Sequence, residues 1–470
     1  MKNKIKELPQ YHIIQEDLHR GKCIQLEGCV PSQTQHLLST LKSDGGYDYM
    51  VVTCMDELAV SEFISVYLPF DPQVYAYPAL DPVFSKADIQ GSFLMEQRME
   101  VLRKLYENEP GTIVTTLDAF FEKMPSVQQL EKEAIHIRTH DTLDREELAR
   151  SLVSFGYGHE TQVTGHGEFS IRGSIIDIYP YASDVPYRVD LFGDEVDTIR
   201  SFDPQSQRSL EPADEFVILP EIRTGLQEDT PEDAPDLRWS EQPEGSAGFL
   251  DYFQDKKTLF VLAEPARMLK AKMGMNPVAS ASEEPEFDSM ESFSAKSIAQ
   301  AEQMIRKLTQ QCCIVLSSLG ESSSVITPFR TIRLNARNIP SYSGRFSELV
   351  NQLRAYRKDG YQVILECAGE TRKTSLVRSL VEHDLFLGPV AEDRANKVKA
   401  SDIQVCIGST RIGFEYPDLK FALITEVDIF GARKAKRRRR RYSGDPIREF
   451  SDLNIGDYVV HEQHGVGIYQ

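Results

Sequence analysis

GHGEFSIRGSIIDIYPYASDVPYRVDLFGDEVDTIRSFDPQSQRSL, residues 165–210, alternates apolar, β-branched runs with turn-forming punctuation. Two strand-like runs, Glu168 to Tyr179 and Tyr187 to Phe192, flank a connection holding Pro180, Ser183, Asp184 and Pro186. That composition predicts antiparallel pairing. Gly193 and Asp194 then turn the chain into a third run, Glu195 to Phe202. Side chains alternate along a strand, so Tyr187, Val189 and Leu191 share one face while Arg188, Asp190 and Phe192 share the other. A phenylalanine set among charges has two readings. Phe192 is either a docking residue on an open face or a core residue under a neighbouring loop, and periodicity does not choose between them.

The segment resembles the second domain of the bacterial transcription-repair coupling factors, a fold shared with the excinuclease subunit UvrB. RGSIIDIYP, PYRVDLFGDEVDTIRSFD and the following Ser-Gln-Arg-Ser-Leu carry the resemblance. In that family this domain binds the damage-recognition subunit UvrA. The resemblance places Arg172, Arg188 and Phe192 at the positions used for that contact. The chemistry is compatible, because arginine offers a planar multi-donor head and an adjacent aromatic supplies anchoring area at low entropic cost.

A chain of 470 residues is too long for one ordinary core, and three or four domains are expected. Its 41% hydrophobic and 27% charged content is that of a globular protein, and no apolar run approaches the roughly 18 residues of a membrane span. The start, MKNKIKELPQYH, lacks the apolar stretch of a secretory signal. The seven cysteines, residues 23, 29, 54, 312, 313, 367 and 406, show no CxxC spacing and mostly lie in apolar runs. Buried reduced thiols and a cytoplasmic location are expected from that, with no metal site.

The net charge of −19 argues against a surface that embraces DNA on all sides. Arg433 to Arg441, RKAKRRRRR, holds eight basic residues and leaves the rest with 45 bases against 72 acids, a balance of −27. Such a run is a solvated linker that offers phosphates non-specific contact, whereas base readout needs a positioned element.

Cys23 to Leu26 is a short apolar strand, and Thr34 to Leu41 a helix, with Glu27–Gly28–Cys29–Val30–Pro31–Ser32–Gln33 between them. Strand, loop and helix is the layout of a phosphate-binding loop, whose motif is Gly-x4-Gly-Lys-Ser/Thr. Aligned on Gly28, the second glycine is Gln33, the lysine Thr34 and the Ser/Thr Gln35. The charge for the terminal phosphates and the magnesium ligand are both missing, and Pro31 removes a backbone donor. The expectation is a degenerate loop that holds no nucleotide. UvrB needs an intact loop, whereas the coupling factors' first domain resembles it with a decayed one. Leu259 to Leu262, followed by Ala263 and Glu264, offers a single carboxylate where an ATPase shows an acidic pair, and Glu264 reads as a helix N-terminal acid.

YPALDPVFSKADIQGSFLMEQRMEVLRKLYENEPGTIVTTLDAFFEKMPS, residues 77–126, resembles the same first domain and contains an amphipathic helix near Ile89 to Tyr106 and a strand, Thr112 to Thr115. Ala134 to Arg138 is a lead-in strand and Arg145 to Phe155 a helix. Gln227 to Ser246 and Ala279 to Lys296 are poor in apolar residues and read as surface loops or insertions. Thr258 to Leu262, Cys312 to Ser317 and the helix Ile298 to Leu308 return, by the resemblance, to the first domain. A third α/β unit, from about Tyr342 to Asp428, has helices Phe346 to Lys358 and Thr371 to His383 and strands Val363 to Leu365, Ile403 to Ile407 and Phe421 to Thr425. Its end, TEVDIFGARKAKRRRR, resembles the close of the coupling factors' third domain.

LNIGDYVVHEQHGVGIYQ resembles the start of the family's RNA-polymerase-interacting domain, a Tudor or CarD-type β-barrel. Tyr458 to His461 is a strand, and His461 with His464 lacks a third metal ligand. The chain stops at Gln470 in mid-strand, so a portion of a longer protein is expected.

The fold class that follows is multidomain α/β. Residues 1–130 and 218–330 form a Rossmann-like domain with a degenerate phosphate loop, interrupted by an α+β domain of UvrA-binding type at 131–217. A smaller α/β domain at 331–430, a basic linker at 431–450 and a truncated barrel start at 451–470 follow. The function implied by the resemblance is recruitment of UvrA to RNA polymerase stalled at a lesion. The ATP- and magnesium-dependent DNA translocase motor of the family lies elsewhere in the full-length protein. No catalytic residue, cofactor site or metal site is expected in these 470 residues. The alternatives are a UvrB-like excinuclease subunit with ATPase and DNA-clamping activity, which the missing lysine opposes, and a free-standing protein-binding adaptor.

Overall fold

The computed structural model describes residues 2–79, 88–181, 183–220, 246–274, 287–318, 325–385, 403–431, 458–461 and 465–468. Two compact units result, Met1–Gly431 and Ala432–Gln470.

Apolar runs bounded by turn residues build the main sheet. Its seven strands lie in the order Val74–Tyr77 at one edge, then Gly111–Thr116, Tyr49–Cys54, Thr258–Ala263, Cys313–Ser317, Cys23–Glu27 and Arg330–Arg333, all parallel. A parallel sheet must be covered on both faces, and alternate residues go to opposite cores. Val51, Phe260, Leu262 and Val315 meet Met99, Leu102 and Leu105 of helix Asp88–Tyr106 and Ile305 of helix Phe287–Thr309. Met50, Val52, Val261 and Ile314 meet Leu37, Leu38 and Leu41 of helix Gln33–Gly45, with Val60 and Phe63 of helix Glu57–Tyr67. Each such fully buried aliphatic contributes roughly 1.5–3 kcal/mol.

Between strands Gly111–Thr116 and Thr258–Ala263 the chain builds a second, six-stranded sheet. Its strands follow chain order: Gly158–His159, Glu168–Arg172, Ile175–Tyr179, Tyr187–Phe192, Glu195–Phe202 and Ser209–Ala213. All neighbours are antiparallel except the first two. Helix Arg145–Ser154 covers one face through Leu148 and Leu152, packed with Phe169, Ile176, Ile178 and Val189. The run expected as one strand from Glu168 to Tyr179 is two, because Gly173 at φ +63° folds it into a hairpin.

The third sheet has the order Arg337–Asn338, Phe414–Tyr416, Phe421–Thr425, Gln362–Cys367 and Ile403–Ile407, the last three parallel. Helices Phe346–Lys358 and Glu370–Glu382 pack on it through Leu349, Leu353, Leu376 and Leu380. Its Phe414, Tyr416, Phe421 and Leu423 join the core under helix Gln33–Gly45.

One further expectation is revised, and one strand was not foreseen. Helix Phe287–Thr309 extends through residues read as a loop up to Lys296. Arg330–Arg333, which carries no apolar alternation beyond Ile332, is the sheet's edge strand. Residues 227–245, Arg433–Arg441 and His464 lie outside the described residues. In the second unit, Tyr458–His461, expected as a strand, pairs antiparallel with Gly465–Ile468. Among the described residues no helix is long and apolar enough to cross a membrane.

Candidate functional site

The six-stranded sheet carries all three expected residues: Arg172 and Arg188 converge on one buried carboxylate, and Phe192 ends the strand that holds Arg188. Alternation holds along Tyr187–Phe192: Val189 and Leu191 are buried, and Tyr187 stacks on Phe216 at 4.4 Å between ring centroids. A register shift against the next strand falls between Asp190 and Leu191. Bulges of this kind re-aim a side chain. Gly193, at φ +70°, then turns the chain. Phe192 stands at this corner, 83% exposed, so the reading that placed it under a loop is excluded. The Leu191 amide donates to the Ser174 carbonyl at 2.8 Å, which ties Phe192's strand to the hairpin that carries Arg172.

Asp177 lies between the two arginines with no exposed side-chain surface. Arg188 donates to it from Nε at 2.6 Å and from a terminal nitrogen at 2.9 Å. The other terminal nitrogen of Arg188 donates to the Gln207 carbonyl at 3.1 Å, and the guanidinium sits 4.7 Å above the Phe202 ring. The bond to Asp177 raises the guanidinium's pKa further above its ordinary value, against burial, which lowers it. Arg172 also donates to Asp177, yet 47% of its side chain is exposed, against 16% for Arg188. The multi-donor head expected of both arginines is therefore offered outward by Arg172, while Arg188 points its donors into the sheet.

Sequence reading missed Asp177 and Gln207. Asp177 carried a signal: a lone acid inside Ile-Ile-Asp-Ile-Tyr is a group rarely buried without a partner. Gln207, at φ +59°, carried none.

The phosphate-loop layout is present, and its interior is filled. Gly28 is at φ +73° and Ser32 at φ +60°. The side-chain oxygen of Gln33 accepts from the Val30 amide at 3.2 Å. Thr34 turns its hydroxyl back to the Val30 carbonyl at 2.9 Å, and Gln33, Thr34 and Gln35 are all buried. A loop that cradles phosphate keeps its amides free and pointed at the ligand. Beside it, at the carboxyl ends of the parallel strands, is a cleft of about 440 Å³ lined by Cys29, Cys54, Met55, Phe63, Glu264 and Leu316, among others. Burial pushes both thiols up to about 12, so neither is a nucleophile at neutral pH. Glu264 stands, as expected, at a helix N-terminus, immediately before helix Pro265–Gly274, and its side chain accepts from the Ser318 amide at 2.7 Å and faces Arg267 at 3.8 Å. Among the described residues no group of three or more His, Cys, Asp or Glu side chains is arranged to hold a metal ion.

The chain also resembles known proteins. Residues 135–223 match the family model of the UvrB interaction domain, and residues 453–470 that of the CarD-like/TRCF RID domain. Over 99% of its length the chain is 27% identical to a transcription-repair-coupling factor of Bacillus subtilis (strain 168), covering 43% of that protein. It is 26% identical over 85% of its length to the Staphylococcus epidermidis protein of the same name (strain RP62A), covering 38% of it. For the Staphylococcus aureus protein (strain MRSA252) the identity is 24% over 84% of the chain and 37% of the relative. The chain thus spans less than half the length of these relatives, and the resemblance expected from its motifs is borne out.

Proposed function

We propose that this chain is the N-terminal module of a transcription-repair coupling factor, and that it recruits UvrA to RNA polymerase stalled at damaged DNA. One observation carries the reading: Phe192 is 83% exposed at the end of a packed strand, on the same sheet as a half-exposed Arg172. An aromatic anchor combined with an arginine is the composition that concentrates binding energy at protein interfaces. The match of residues 135–223 to the UvrB interaction domain supports UvrA as the partner.

In this reading residues 131–217 are an insertion in the first domain, and 451–470 begin the polymerase-contacting barrel. The first domain serves as a scaffold, with Gln33 lodged in its former phosphate loop. ATP, magnesium and DNA translocation belong to the remainder of the full-length protein. The excinuclease alternative is disfavoured by that filled loop and by the polymerase-type match at 453–470. Calorimetric titration of the 470-residue chain with purified UvrA tests the proposal. Binding should be saturable and should be lost in the Arg188→Ala, Phe192→Ala double variant. Undiminished affinity in that variant overturns it.

A further inference from the structure

Burying a carboxylate inside an apolar strand is costly unless its oxygens are fully engaged. Asp177 has no exposed side-chain surface, and both oxygens are taken by arginine donors from the two neighbouring strands. The register fixes this arrangement, since Asp177 stands opposite Arg188 on one side and Ser170 on the other.

The donors of Arg188 are almost fully committed. A guanidinium has five N–H groups. Nε and one terminal nitrogen grip Asp177, that same nitrogen lies 3.5 Å from the Gln207 side-chain oxygen, and the remaining nitrogen donates to the Gln207 carbonyl. Gln207 is itself locked. Its side-chain nitrogen donates to Val163 at 2.9 Å and to Pro204 at 2.8 Å, and its backbone sits in the left-handed region, an unfavourable conformation for glutamine. Phe202 closes the remaining face of the guanidinium. The segment Phe202–Leu210, with its Ser-Gln-Arg-Ser-Leu run, thus forms a collar around Arg188.

We propose that Asp177, aided by Gln207, is the positioning residue of the UvrA-binding face, and that Arg188 acts on the partner through Asp177 and not by touching it. Asp177 holds Arg188 inward as a brace and tethers one nitrogen of Arg172, so that the half-exposed Arg172 is presented with little conformational freedom left to lose on binding. The inference rests on the reading of this face as the UvrA site.

A double-mutant cycle in the 470-residue chain, read by titration with purified UvrA, tests it. Asp177→Asn adds net positive charge to a face that presents arginine, yet should weaken binding by about tenfold or more. In the Asp177→Asn background, Arg188→Ala should change affinity by less than about twofold, because the route through which it acts is already gone. Additive losses overturn the proposal, as does wild-type affinity in a folded Asp177→Asn chain.

Should Asp177→Asn abolish the cooperative melt of the sheet, a second background serves. With Asp177 and Arg188 both replaced by leucine, the buried charges leave together and the fold tolerates it. Arg172→Ala there should cost at most about threefold, against about tenfold in the wild type. A full cost in the leucine background overturns the proposal too. Wild-type chain that fails to bind UvrA sinks the reading of the whole face. Loss of binding in Phe192→Ala alongside additive arginine effects sinks only the positioning role.

Discussion

The Gln33 side-chain oxygen and the Val30 backbone nitrogen are 3.2 Å apart, joined by a hydrogen bond across the loop that would otherwise cradle phosphate. Both ends of the bond belong to the same turn, so the loop satisfies itself. The chain should show no binding of a fluorescent ATP analogue at micromolar concentration. Gln33→Ala should not restore it, because the lysine and the magnesium ligand are absent, and it should cost roughly 1–3 kcal/mol by stripping a partner from the Val30 amide. Fluorescence titration and denaturant melts check the two halves separately. Micromolar nucleotide affinity in either chain overturns the scaffold reading.

Phe192 separates binding from stability. With 83% of it exposed, Phe192→Ala removes almost no packing, and the melting behaviour should change by no more than about 0.5 kcal/mol. Its effect on UvrA affinity should be roughly 2 kcal/mol, the size expected of an interface anchor. An equal and large effect on both would mean that Phe192 packs within the sheet.

What the sequence disclosed, and what it hid, follows from how each residue is used. Thr258–Ala263 and Cys313–Ser317 were legible because strands covered on both faces are continuous apolar runs. Arg172 and Phe192 were legible through strand alternation and resemblance. The hairpin at Gly173 was hidden, since isoleucines on both sides made one long β-rich run and a single glycine in it also reads as a bulge. The edge strand Arg330–Arg333 was hidden because only Ile332 is buried. The inward turn of Arg188 was beyond reach: it depends on Gln207, nineteen residues away. Its backbone conformation leaves no mark in composition.

Gly28 is required by a close approach as well as by its φ of +73°. A Cβ there would lie 2.4 Å from the Leu334 carbonyl oxygen, where the chain leaves the edge strand Arg330–Arg333. The Leu334 amide donates to the Glu27 carbonyl at 2.8 Å, so backbone on both sides is fixed. Gly28→Ala should destabilise the first domain by roughly 1–3 kcal/mol, visible in a denaturant melt. A melt identical to that of the wild type would show that the edge strand yields freely.

Two buried carboxyls make the third sheet respond to acid in an unusual direction. Glu366 accepts from Thr410, and Asp428 accepts from the Thr425 and Gly413 amides. Burial nonetheless raises both above the ordinary carboxylate range, and outweighs the hydrogen bonds that pull them down. A carboxyl that titrates higher in the folded than in the unfolded state binds extra protons while folded. Stability from these two groups is therefore fully present below the unfolded values and is lost as pH rises from there through the folded values. Hydrogen exchange of the Phe421–Thr425 amides, corrected for intrinsic rates, should show better protection at mildly acidic pH than at neutrality. Glu366→Gln with Asp428→Asn should flatten that difference, and an unchanged difference would assign the effect elsewhere.

Tyr416 joins the third sheet to the helix behind the filled loop. Its hydroxyl is 3.2 Å from Nδ1 of His36, and its ring lies 5.2 Å from Phe414, which stacks on His36 at 5.7 Å. All three side chains are buried, and Phe421 and Leu423 extend the same core. Tyr416→Ala should cost roughly 3–5 kcal/mol, the range for deleting a buried aromatic. Tyr416→Phe, which keeps the ring, should cost about 1 kcal/mol. Because the lost contacts bridge two sheets, the alanine variant should melt in two steps, with the segment Arg337–Phe430 released first to protease. The phenylalanine variant should keep the wild-type profile. A single cooperative transition in Tyr416→Ala would show that the remaining contacts of Phe414 and Phe421 are enough to hold the two sheets together.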